Sequence, residues 1–452
     1  MKVVIIGNNV AGTFTAQNLR NLNNDIEIDI YTQERYPYYT RVILPELISE
    51  RVSIDDLIVF KEDWYKNKHI KLYLNKRISK INPSNKTIQI EVANDIISYD
   101  KLILTLGSTP NIPPIKNAIE MRDKKQGLFT LRSIDDALEI KEFIKNKNVK
   151  KAIIIGGGLL GLELANQINN CNLNTTVIEF FPRLLPRQLD IECAEMLKEE
   201  IENRGIKVVL DATTEEILGN GIVSGIKLKS GEVLNGEIIL IQAGIRPTID
   251  IAKQADLDTN KGIVVNEFLE TSKQDIYAVG DCIEYKNQIW GIIPACMEQS
   301  KIVAASALGL KKVNYKGTTP KNTLKIVGLE LTSIGVIDPS KEEGGAWEIL
   351  KKADKKDCCY QKLVLKGNTL KGAILFGENK AISYVYNKME KDVDRDELKK
   401  LLELNSYICN NCGLEYDEAK MSILFKDLPP EWKCPNCKGS KKDFTKKKIN
   451  SN

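Results

Sequence analysis

The chain has 452 residues, of which 42% are apolar and 28% charged, a composition that excludes collagen, coiled coil and disorder as its main class and predicts about two to four globular domains. The 65 basic and 61 acidic residues leave a net charge of +4, so charge alone gives no case for nucleic-acid binding. The single histidine, His69, excludes mechanisms that need a histidine pair, a Ser-His-Asp set or a multi-histidine metal site.

The first residues, Met1–Gly7, hold an apolar run that is too short for a signal peptide, so they are expected to form a strand. No run of 18 apolar residues occurs in the chain, and no transmembrane helix is expected. The expected compartment is therefore the cytoplasm.

One pattern occurs twice along the chain. The strand Lys2–Gly7 enters a glycine turn and leads to a helix over Thr13–Asn21 and a strand over Ile26–Tyr31. About 150 residues later, Lys151–Gly156 leads in the same way to a helix and to the strand Thr175–Ile178. Two strand-helix-strand units of this kind predict an α/β fold with two Rossmann-like domains that bind two nucleotides.

The second turn carries the complete glycine fingerprint, Gly156, Gly158 and Gly161. The first glycine permits the tight turn, the second lets the backbone approach a pyrophosphate, and the third lets the helix pack closely on the strand. Glu179 follows Gly161 by 18 residues, close to the roughly 20 residues typical of a ribose-binding carboxylate. This spacing predicts NADH in preference to NADPH.

The first turn reads Gly7, Asn8, Asn9 and Gly12, with Asn9 at the position of the middle glycine. Asparagine is the next-best residue for positive φ, so we expect the turn to survive, but the close approach of a pyrophosphate does not follow from this residue. Glu34 ends the following strand and is a candidate ribose ligand. An ordinary strand-turn-helix connection remains the alternative at this turn.

Three further stretches resemble motifs of the FAD-dependent pyridine nucleotide-disulfide oxidoreductases: Tyr99–Pro110, Ala243–Pro247 and Thr271–Cys282. The first departs from the family pattern, since Thr105-Leu106-Gly107 stands where Ala-Thr-Gly is usual. The resemblance implies that Asp281 binds the FAD ribityl hydroxyls and that a helix beginning near Met297 directs its positive end at the flavin. It also implies further cofactor-binding residues, which are Gln33, Glu34, Arg41, Ile78, Arg132, Lys325 and, near the nicotinamide, Glu163.

No cysteine precedes Cys171, whereas disulfide-, peroxide- and coenzyme A-linked members of the family carry one or two cysteines near the first FAD helix. Electrons are therefore expected to leave the flavin without a thiol relay. The segment Glu34–Tyr39 with Arg41, followed by Ser53–Asp56 and Trp64-Tyr65, is similar to the NADH:rubredoxin oxidoreductase type of the family. It also resembles the flavin module of assimilatory nitrite reductases.

Four of the ten cysteines form two CxxC pairs near the C-terminus, Cys409 with Cys412 and Cys434 with Cys437, separated by 21 residues. Four thiolates suit iron or zinc equally well, and a structural zinc ribbon remains an alternative. The aromatic residues around the pairs resemble those of rubredoxin, which implies one iron ion. Two departures are a shorter loop between the pairs and Lys438 in place of a glycine.

A charged stretch precedes these cysteines, in which Asp394 and Glu397 predict a capping box for a helix over Arg395–Leu404. Cys358 and Cys359 are interpreted as packing residues. The predicted parts of the chain are a first FAD-binding segment at 1–110, an NAD-binding domain at 111–244, a second FAD-binding segment at 245–312, an interface domain at 313–388, a linker helix at 389–405, a rubredoxin-like domain at 406–445 and a basic tail at 446–452.

These patterns predict an NADH:rubredoxin oxidoreductase that passes hydride from NADH to FAD and single electrons to its own iron. Its expected partners are NADH and an acceptor protein that reduces oxygen or peroxide, of the flavodiiron or rubrerythrin-like kind. No side chain is assigned as a catalytic acid or base. The alternatives are an NADH oxidase, an electron-donor module of nitrite-reductase type, or a redox sensor that docks a partner through a zinc ribbon.

Overall fold

The computed structural model describes residues 1–92, 94–310, 313–319, 328–339, 344, 346–354, 358–377, 381–418, 421 and 423–446, together with the backbone of 321–326. The chain forms two compact units. The first comprises residues 1–178 and 213–320, and the second comprises 179–212 and 321–452. The basic tail predicted at 446–452 lies outside the described residues after Lys446.

The first unit contains a parallel sheet built on the N-terminal strand Lys2–Ile6, whose residues Val3–Ile5 are fully buried. Such continuously apolar strands are typical of a parallel sheet covered on both faces. In spatial order the five strands are Ile276–Ala278, Lys101–Leu104, Lys2–Ile6, Glu27–Tyr31 and Ile70–Tyr73.

The same unit contains a second parallel arrangement centred on Lys151–Ile155. Its neighbours are Asn174–Ile178 on one side and Ile238–Ile241 on the other, and Leu128–Phe129 lies beyond the latter. The predicted repeat and the predicted α/β class with two Rossmann-like domains are therefore confirmed. The finer domain boundaries remain predictions.

Helices connect the strands of both sheets. The first glycine turn leads into Val10–Leu22 and the second into Leu159–Asn170, each a few residues longer than predicted. The other helices of this unit are Leu44–Ile48, Ile54–Leu57, Glu62–Asn67, Ala118–Asp123, Ile134–Lys147, Asp250–Gln254 and Ile293–Ala307.

The helix expected near Met297 begins four residues earlier, at Ile293. Pro294 lies in the first turn, where its fixed φ and missing N–H are tolerated. The helix ends at Ala307, two residues before Gly309, whose φ is +75°. The start near Met297 was therefore wrong.

Short sheets complete the first unit, and all are antiparallel except the parallel pair Ile263–Val264 and Ile283–Glu284. One of them pairs Ser108–Pro110 with Ile245–Pro247, the two crossings expected between FAD and NAD segments. The remaining short strands are Ile78–Asn82, Thr87–Ile90 and Ile96–Ser98; Thr214–Gly219, Val223–Leu228 and Val233–Asn235; and Ile263–Val264 with Ile283–Glu284.

The second unit is built on a five-stranded antiparallel sheet. Its strands, in spatial order, are Lys321–Ile326, Leu329–Gly335, Thr369–Gly377, Cys359–Lys366 and Trp347–Asp354. The other elements before the cysteine-rich end are Ile191–Asn203, Lys207–Val209, Ile382–Lys388 and Arg395–Leu401.

The linker helix Arg395–Leu401 is three residues shorter than predicted. Asp394 caps it, because its side chain accepts a hydrogen bond from the Glu397 N–H at 2.9 Å, but the reciprocal bond of the predicted capping box is not formed among the described residues. Glu397 itself accepts a hydrogen bond from the Tyr384 hydroxyl at 2.8 Å. The helix is thus joined to the preceding one through its first turn.

The cysteine-rich end forms a three-stranded antiparallel sheet. Ser406–Cys409 lies in the middle, between Glu415–Asp417 and Phe444–Lys446. Two 3₁₀ turns, Phe425–Asp427 and Lys441–Asp443, complete it. No helix in the described part of the chain is both long and apolar enough to cross a lipid bilayer.

Candidate functional site

The first glycine turn leaves no room for a side chain at two positions. Gly7 has φ +110°, and a Cβ added there would lie 2.3 Å from the Thr105 carbonyl oxygen. A Cβ added at Gly12 would lie 2.0 Å from the carbonyl oxygen of Gly7. Only glycine fits either position, and the helix therefore approaches the strand closely.

The second turn repeats this geometry. Gly156 has φ +119° with an added Cβ 2.3 Å from the Gln242 carbonyl oxygen, and an added Cβ at Gly161 would lie 2.0 Å from the carbonyl oxygen of Gly156. At Gly158, by contrast, nothing lies within 4 Å of an added Cβ. The middle position is thus open at the helix N-terminus, where N–H groups and the helix dipole favour a phosphate.

Asn9 occupies the corresponding middle position of the first turn, but it does not adopt the positive φ that was expected of it. Its φ is −106° and its ψ −169°, so the backbone is extended, as it is at Gly158 with φ −78°. The Asn9 side chain caps the helix by accepting a hydrogen bond from the Gly12 N–H at 3.2 Å, and it donates one to the Thr105 carbonyl at 2.6 Å. The expectation of a positive φ at Asn9 was therefore wrong, and asparagine fits this position because its side chain caps the helix.

Asn8, beside it, holds an unused donor. Its Oδ1 accepts hydrogen bonds from the Thr13 and Tyr65 hydroxyls, each at 3.0 Å. Its Nδ2 is buried and has no partner in the described part of the structure. Because a buried donor without a partner costs roughly 1–3 kcal/mol, this atom fits an acceptor oxygen of a bound dinucleotide.

Four predicted FAD-site residues form one connected set. The Arg41 guanidinium pairs with the Glu34 carboxylate, and its Nε donates to the Arg132 carbonyl at 3.1 Å. The Arg132 guanidinium lies 3.0 Å from the Asp281 carboxylate, which also accepts a hydrogen bond from the Ser108 hydroxyl at 2.8 Å. Residues far apart in sequence thus meet at the carboxyl ends of the first sheet.

The two oxygens of the Asp281 carboxylate have different surroundings in the described part of the chain. Arg132 and Ser108 both donate hydrogen bonds to Oδ2, whereas Oδ1 accepts a long hydrogen bond from the Cys296 thiol, at 3.9 Å. Burial raises the pKa of the Cys296 thiol, so this neighbour stays neutral. Oδ1 is therefore suited to accept a hydrogen bond from a ligand hydroxyl.

The turn that presents Asp281 is fixed by a buried network that the sequence did not reveal. The Gly280 N–H donates to the Gln299 side chain at 2.8 Å, and Gln299 donates to the Tyr315 hydroxyl at 3.0 Å. Gln299 lies on the helix Ile293–Ala307, so the network joins the turn to that helix. A glutamine six residues into this helix was the available signal.

Gln33 and Ile78, two other predicted FAD residues, form no side-chain hydrogen bond with this set in the described part of the structure. Gln33 is exposed, and Ile78 is buried at the start of a strand, where it pairs with Ile90. Lys325 lies in the strand Lys321–Ile326, and its side chain is outside the described residues. The roles of these three residues remain predictions.

Glu163 and Glu179 each hold a defined position within their own unit. Glu163 accepts a hydrogen bond from the Gln167 amide at 3.0 Å, and Gln167 in turn accepts one from the Ser49 hydroxyl at 2.8 Å. Glu179 directly follows the strand Asn174–Ile178, is buried, and accepts a hydrogen bond from the Phe181 N–H at 2.8 Å. Their nucleotide contacts remain predictions.

Arg41 and Arg132 line a small recess in the first unit. Leu160, in the first turn of the second fingerprint helix, lies on the same recess. The recess therefore joins the predicted FAD residues to the N-terminus of the predicted NAD helix.

The four C-terminal cysteines come together in the second unit. Their sulfur atoms all lie within 4.8 Å of one another, with Cys409 to Cys437 at 3.5 Å and Cys412 to Cys434 at 3.7 Å. A tetrahedron with metal–sulfur bonds of about 2.3 Å has edges of about 3.8 Å. The predicted metal ligands thus fit one iron ion.

Each CxxC pair forms a knuckle, defined here as residues 409–414 and 434–439. Cys409 donates through its N–H to the Leu414 carbonyl at 2.9 Å, and Cys434 does the same to the Gly439 carbonyl at 2.7 Å. The residues after the second cysteines also correspond, since Gly413 has φ +74° and Lys438 φ +64°. The lysine therefore preserves the left-handed turn for which a glycine is expected.

The surroundings of the thiols favour metal binding. A hydrogen bond from the Leu414 backbone N–H lowers the pKa of the Cys412 thiol to about 7, towards the thiolate that a metal requires. The aromatic residues form the small core that was predicted, with the Tyr407 and Phe425 rings stacked at 4.1 Å. Tyr416, Trp432 and Phe444 surround the Phe425 ring.

Comparison with known proteins agrees with this organisation. Residues 1–300 match the family described as "Pyridine nucleotide-disulphide oxidoreductase", and residues 320–393 match the "Rubredoxin NAD+ reductase C-terminal domain". The chain is 34% identical over 401 residues to a nitrite reductase [NAD(P)H] of Bacillus subtilis, covering 88% of this chain and 48% of that protein. It thus spans about half the length of that relative.

The chain is also 32% identical over 380 residues to the NADH-rubredoxin oxidoreductase of Clostridium acetobutylicum, covering 83% of this chain and 91% of that protein. The crystal structure of NADH:rubredoxin oxidoreductase from the same organism superposes with a TM-score of 0.68 at 29% identity. That superposition covers 87% of this chain and 96% of the crystallised one.

Proposed function

Because the chain belongs to the pyridine nucleotide-disulphide oxidoreductase family, we propose that it is an NADH:rubredoxin oxidoreductase that carries its own rubredoxin-like iron centre. The observation that carries this proposal is the cluster of four cysteine sulfurs within 4.8 Å in the same chain as the two dinucleotide turns. The absence of any cysteine before Cys171 supports it, since no thiol relay is available near the first FAD helix.

FAD and NADH are the cofactors of this family, and the residues of the first unit fit them. The open Gly158 turn and the unused Nδ2 of Asn8 provide donors for the two pyrophosphates. The Oδ1 of Asp281, which accepts only a long contact from the Cys296 thiol among the described residues, provides an acceptor for a ribityl hydroxyl. A bound flavin accepts the two electrons of a hydride and releases them singly, which suits one iron that accepts one electron.

Arg41 and Arg132 place guanidinium N–H donors at the recess where the rings would meet. Each is already hydrogen-bonded to a carboxylate, Arg41 to Glu34 and Arg132 to Asp281, so both guanidinium groups are held in place before a ligand binds. Fixed cations stabilise negative charge without reorganisation. This chain therefore contributes orientation and electrostatics, and no acid or base is assigned.

We further propose that the electrons leave the iron for a protein that reduces oxygen or peroxide, of the flavodiiron or rubrerythrin-like kind. The fused iron centre supports this, because tethering gives it an effective concentration on the order of millimolar near its electron source. A rubredoxin-like centre then serves as the point of exchange with an external protein.

The variant Cys434→Ser tests the proposal, with Cys358→Ser as a control outside the cysteine cluster. NADH should still bleach the flavin absorbance of Cys434→Ser, whereas peroxide-dependent electron delivery to added rubrerythrin should disappear. Cys358→Ser should retain both. Equal delivery by Cys434→Ser would overturn the proposal.

A second candidate function is that of an electron-donor module of nitrite-reductase type, and the 34% identity to the Bacillus nitrite reductase over 88% of this chain favours it. An NADH oxidase is the related alternative. Steady peroxide or water production at full NADH turnover, with no acceptor added, would support the oxidase. Zinc in protein purified from its native cells would instead point to a structural ribbon.

A further inference from the structure

The four cysteines differ in their access to solvent. Cys409 and Cys434 are 1% and 0% exposed, Cys412 is half-buried, and Cys437 is exposed. An electron that leaves the metal through a ligand sulfur therefore has its shortest route to an external protein at Cys437. The surface around the second knuckle, 434–439, is the place where such a partner would bind.

That surface is basic. Residues 433–446 contain five lysines and one aspartate, a net charge of +4 that equals the net charge of the whole chain. Lys438 directly follows Cys437, and a β-bridge between Lys433 and Ser440 places Lys433 opposite the start of the Lys441–Asp443 turn. The five lysines are Lys433, Lys438, Lys441, Lys442 and Lys446.

Several of these charges are not neutralised. Lys433, Lys438 and Lys442 are exposed, and none forms an ion pair with a described residue. Lys441 is fixed differently, since its Nζ donates to the carbonyls of Lys426 and Leu428 at 2.8 and 3.0 Å. Lys441 therefore keeps its positive charge while it holds the edge of the knuckle in place.

Three of the acidic groups nearby are engaged elsewhere, whereas Glu431, two residues before Lys433, is exposed. Asp443 accepts hydrogen bonds from the N–H and hydroxyl of Ser440, and Asp417 pairs with Lys399 at 3.0 Å. Glu418 is buried and accepts hydrogen bonds from backbone N–H groups. The first knuckle, in contrast, belongs to a segment, 406–418, with three acidic residues and no lysine or arginine. The lysines of the domain are therefore concentrated near the second knuckle rather than the first.

We propose that the lysine-bordered second knuckle is the electron-exit surface of this protein and that its partner is an electron-acceptor protein with an acidic docking surface. The inference rests on the proposed function, because it takes the four cysteines to hold iron. In the transfer itself, the iron loses one electron to become ferric and the acceptor centre gains that electron. Complementary charge would raise the association rate and make it fall as salt increases.

The first experiment measures binding, with the redox-inert trianion hexacyanochromate(III) as the probe. Equilibrium dialysis at low ionic strength compares the full-length iron-loaded protein with the double variant Lys438→Gln/Lys442→Gln. Two lost charges near a trianion should weaken its binding by about tenfold. Lys400→Gln, an exposed lysine of the linker helix, is the matched control and should bind as the unaltered protein does.

The second experiment measures rates, after the protein has been reduced with dithionite so that NADH plays no part. Stopped-flow absorbance follows oxidation of the iron by hexacyanoferrate(III), an anion, and by tris(phenanthroline)cobalt(III), a cation. The rate with the anion should fall as salt is added, and the rate with the cation should rise. The double variant should show a weaker salt dependence in both cases.

The outcomes separate the two proposals. An anion rate that rises with salt, or trianion binding unchanged in the double variant, overturns the basic exit surface while leaving the oxidoreductase proposal intact. Protein without iron–thiolate absorbance overturns the oxidoreductase proposal, and the exit surface with it. Trianion binding by such protein would then describe only a basic surface.

Discussion

Replacing glycine by alanine should have opposite consequences at two positions of the second turn, the closed position Gly161 and the open position Gly158. In Gly161→Ala the new Cβ would lie 2.0 Å from the Gly156 carbonyl oxygen, so the helix must move by about 1.4 Å to reach an ordinary contact of 3.4 Å. Overpacking of this kind costs roughly 1–3 kcal/mol. At about 2 kcal/mol, the melting temperature of a domain of 150–250 residues falls by about 4–8 °C.

Gly158→Ala is the matched control, since nothing lies within 4 Å of its new Cβ and its φ of −78° suits alanine. Its melting temperature should change by less than about 2 °C, because alanine at this cap loses a little but also restricts the unfolded chain. Its methyl group would instead occupy the opening at the helix N-terminus. Loss of one charged hydrogen bond there, about 1.5–3 kcal/mol, raises the KM for NADH by about 10–150-fold.

The assay combines differential scanning fluorimetry with steady-state NADH oxidation by both variants. The account predicts a thermal effect mainly in Gly161→Ala, and in Gly158→Ala a KM effect without a thermal one. A Gly158→Ala protein with unchanged KM would refute the assignment of this turn to the NADH pyrophosphate. A Gly161→Ala protein with unchanged melting temperature would refute the close approach of helix and strand.

Three other predictions follow from the charges and turns. Lys438→Gly should stabilise the metal-loaded protein by about 0.5–1 kcal/mol, because φ +64° strains a lysine; a lower midpoint in guanidinium unfolding would contradict this. Burial opposes ionisation of Asp275, but hydrogen bonds from Lys101 and Lys86 outweigh this effect and lower the pKa of its carboxyl group. The ionised carboxylate therefore stabilises the folded state above the unfolded-state pKa of about 3.9. This stabilisation is lost as the pH falls through the lower pKa of the folded state. Asp275→Asn should therefore cost about 1.5–3 kcal/mol at pH 7 and progressively less below about pH 4, as urea unfolding at both pH values would show. Removal of the metal should unfold the cysteine-rich end, because its hydrophobic core is small. Limited proteolysis of the metal-free protein should then cut this end before Cys434. Equal resistance of metal-free and metal-loaded protein to the protease would contradict this.

The layout of the first unit could be predicted because its signals are local. Apolar runs that end in glycine turns specify buried parallel strands, and both turns have the predicted closed positions at Gly7 and Gly156. The backbone angles of Asn9 could not be predicted in this way. A residue type suggests a set of backbone angles, but which set is used depends on the hydrogen bonds that the side chain finds, here with Gly12 and Thr105.

For residues far apart in the chain, the sequence could predict that they belong to one site but not which contacts they make. The sequence placed Arg132 and Asp281 in one pocket by resemblance, but their ion pair, across 149 positions, and the part played by Ser108 follow from the packing of the strands. The assignment of residues 179–212 to the second unit is of the same kind. Asp190 accepts hydrogen bonds from Tyr360 and Lys362 there, and no local pattern announces this.

The central claim is that reducing equivalents pass from NADH through a flavin to an iron held by the four cysteines. An anaerobic absorbance titration of the purified protein with NADH tests it most directly. The account predicts that the flavin bands and the iron–thiolate bands bleach together. Bleaching of the flavin while intact iron–thiolate bands persist, or a flavin spectrum with no iron bands at all, would contradict it.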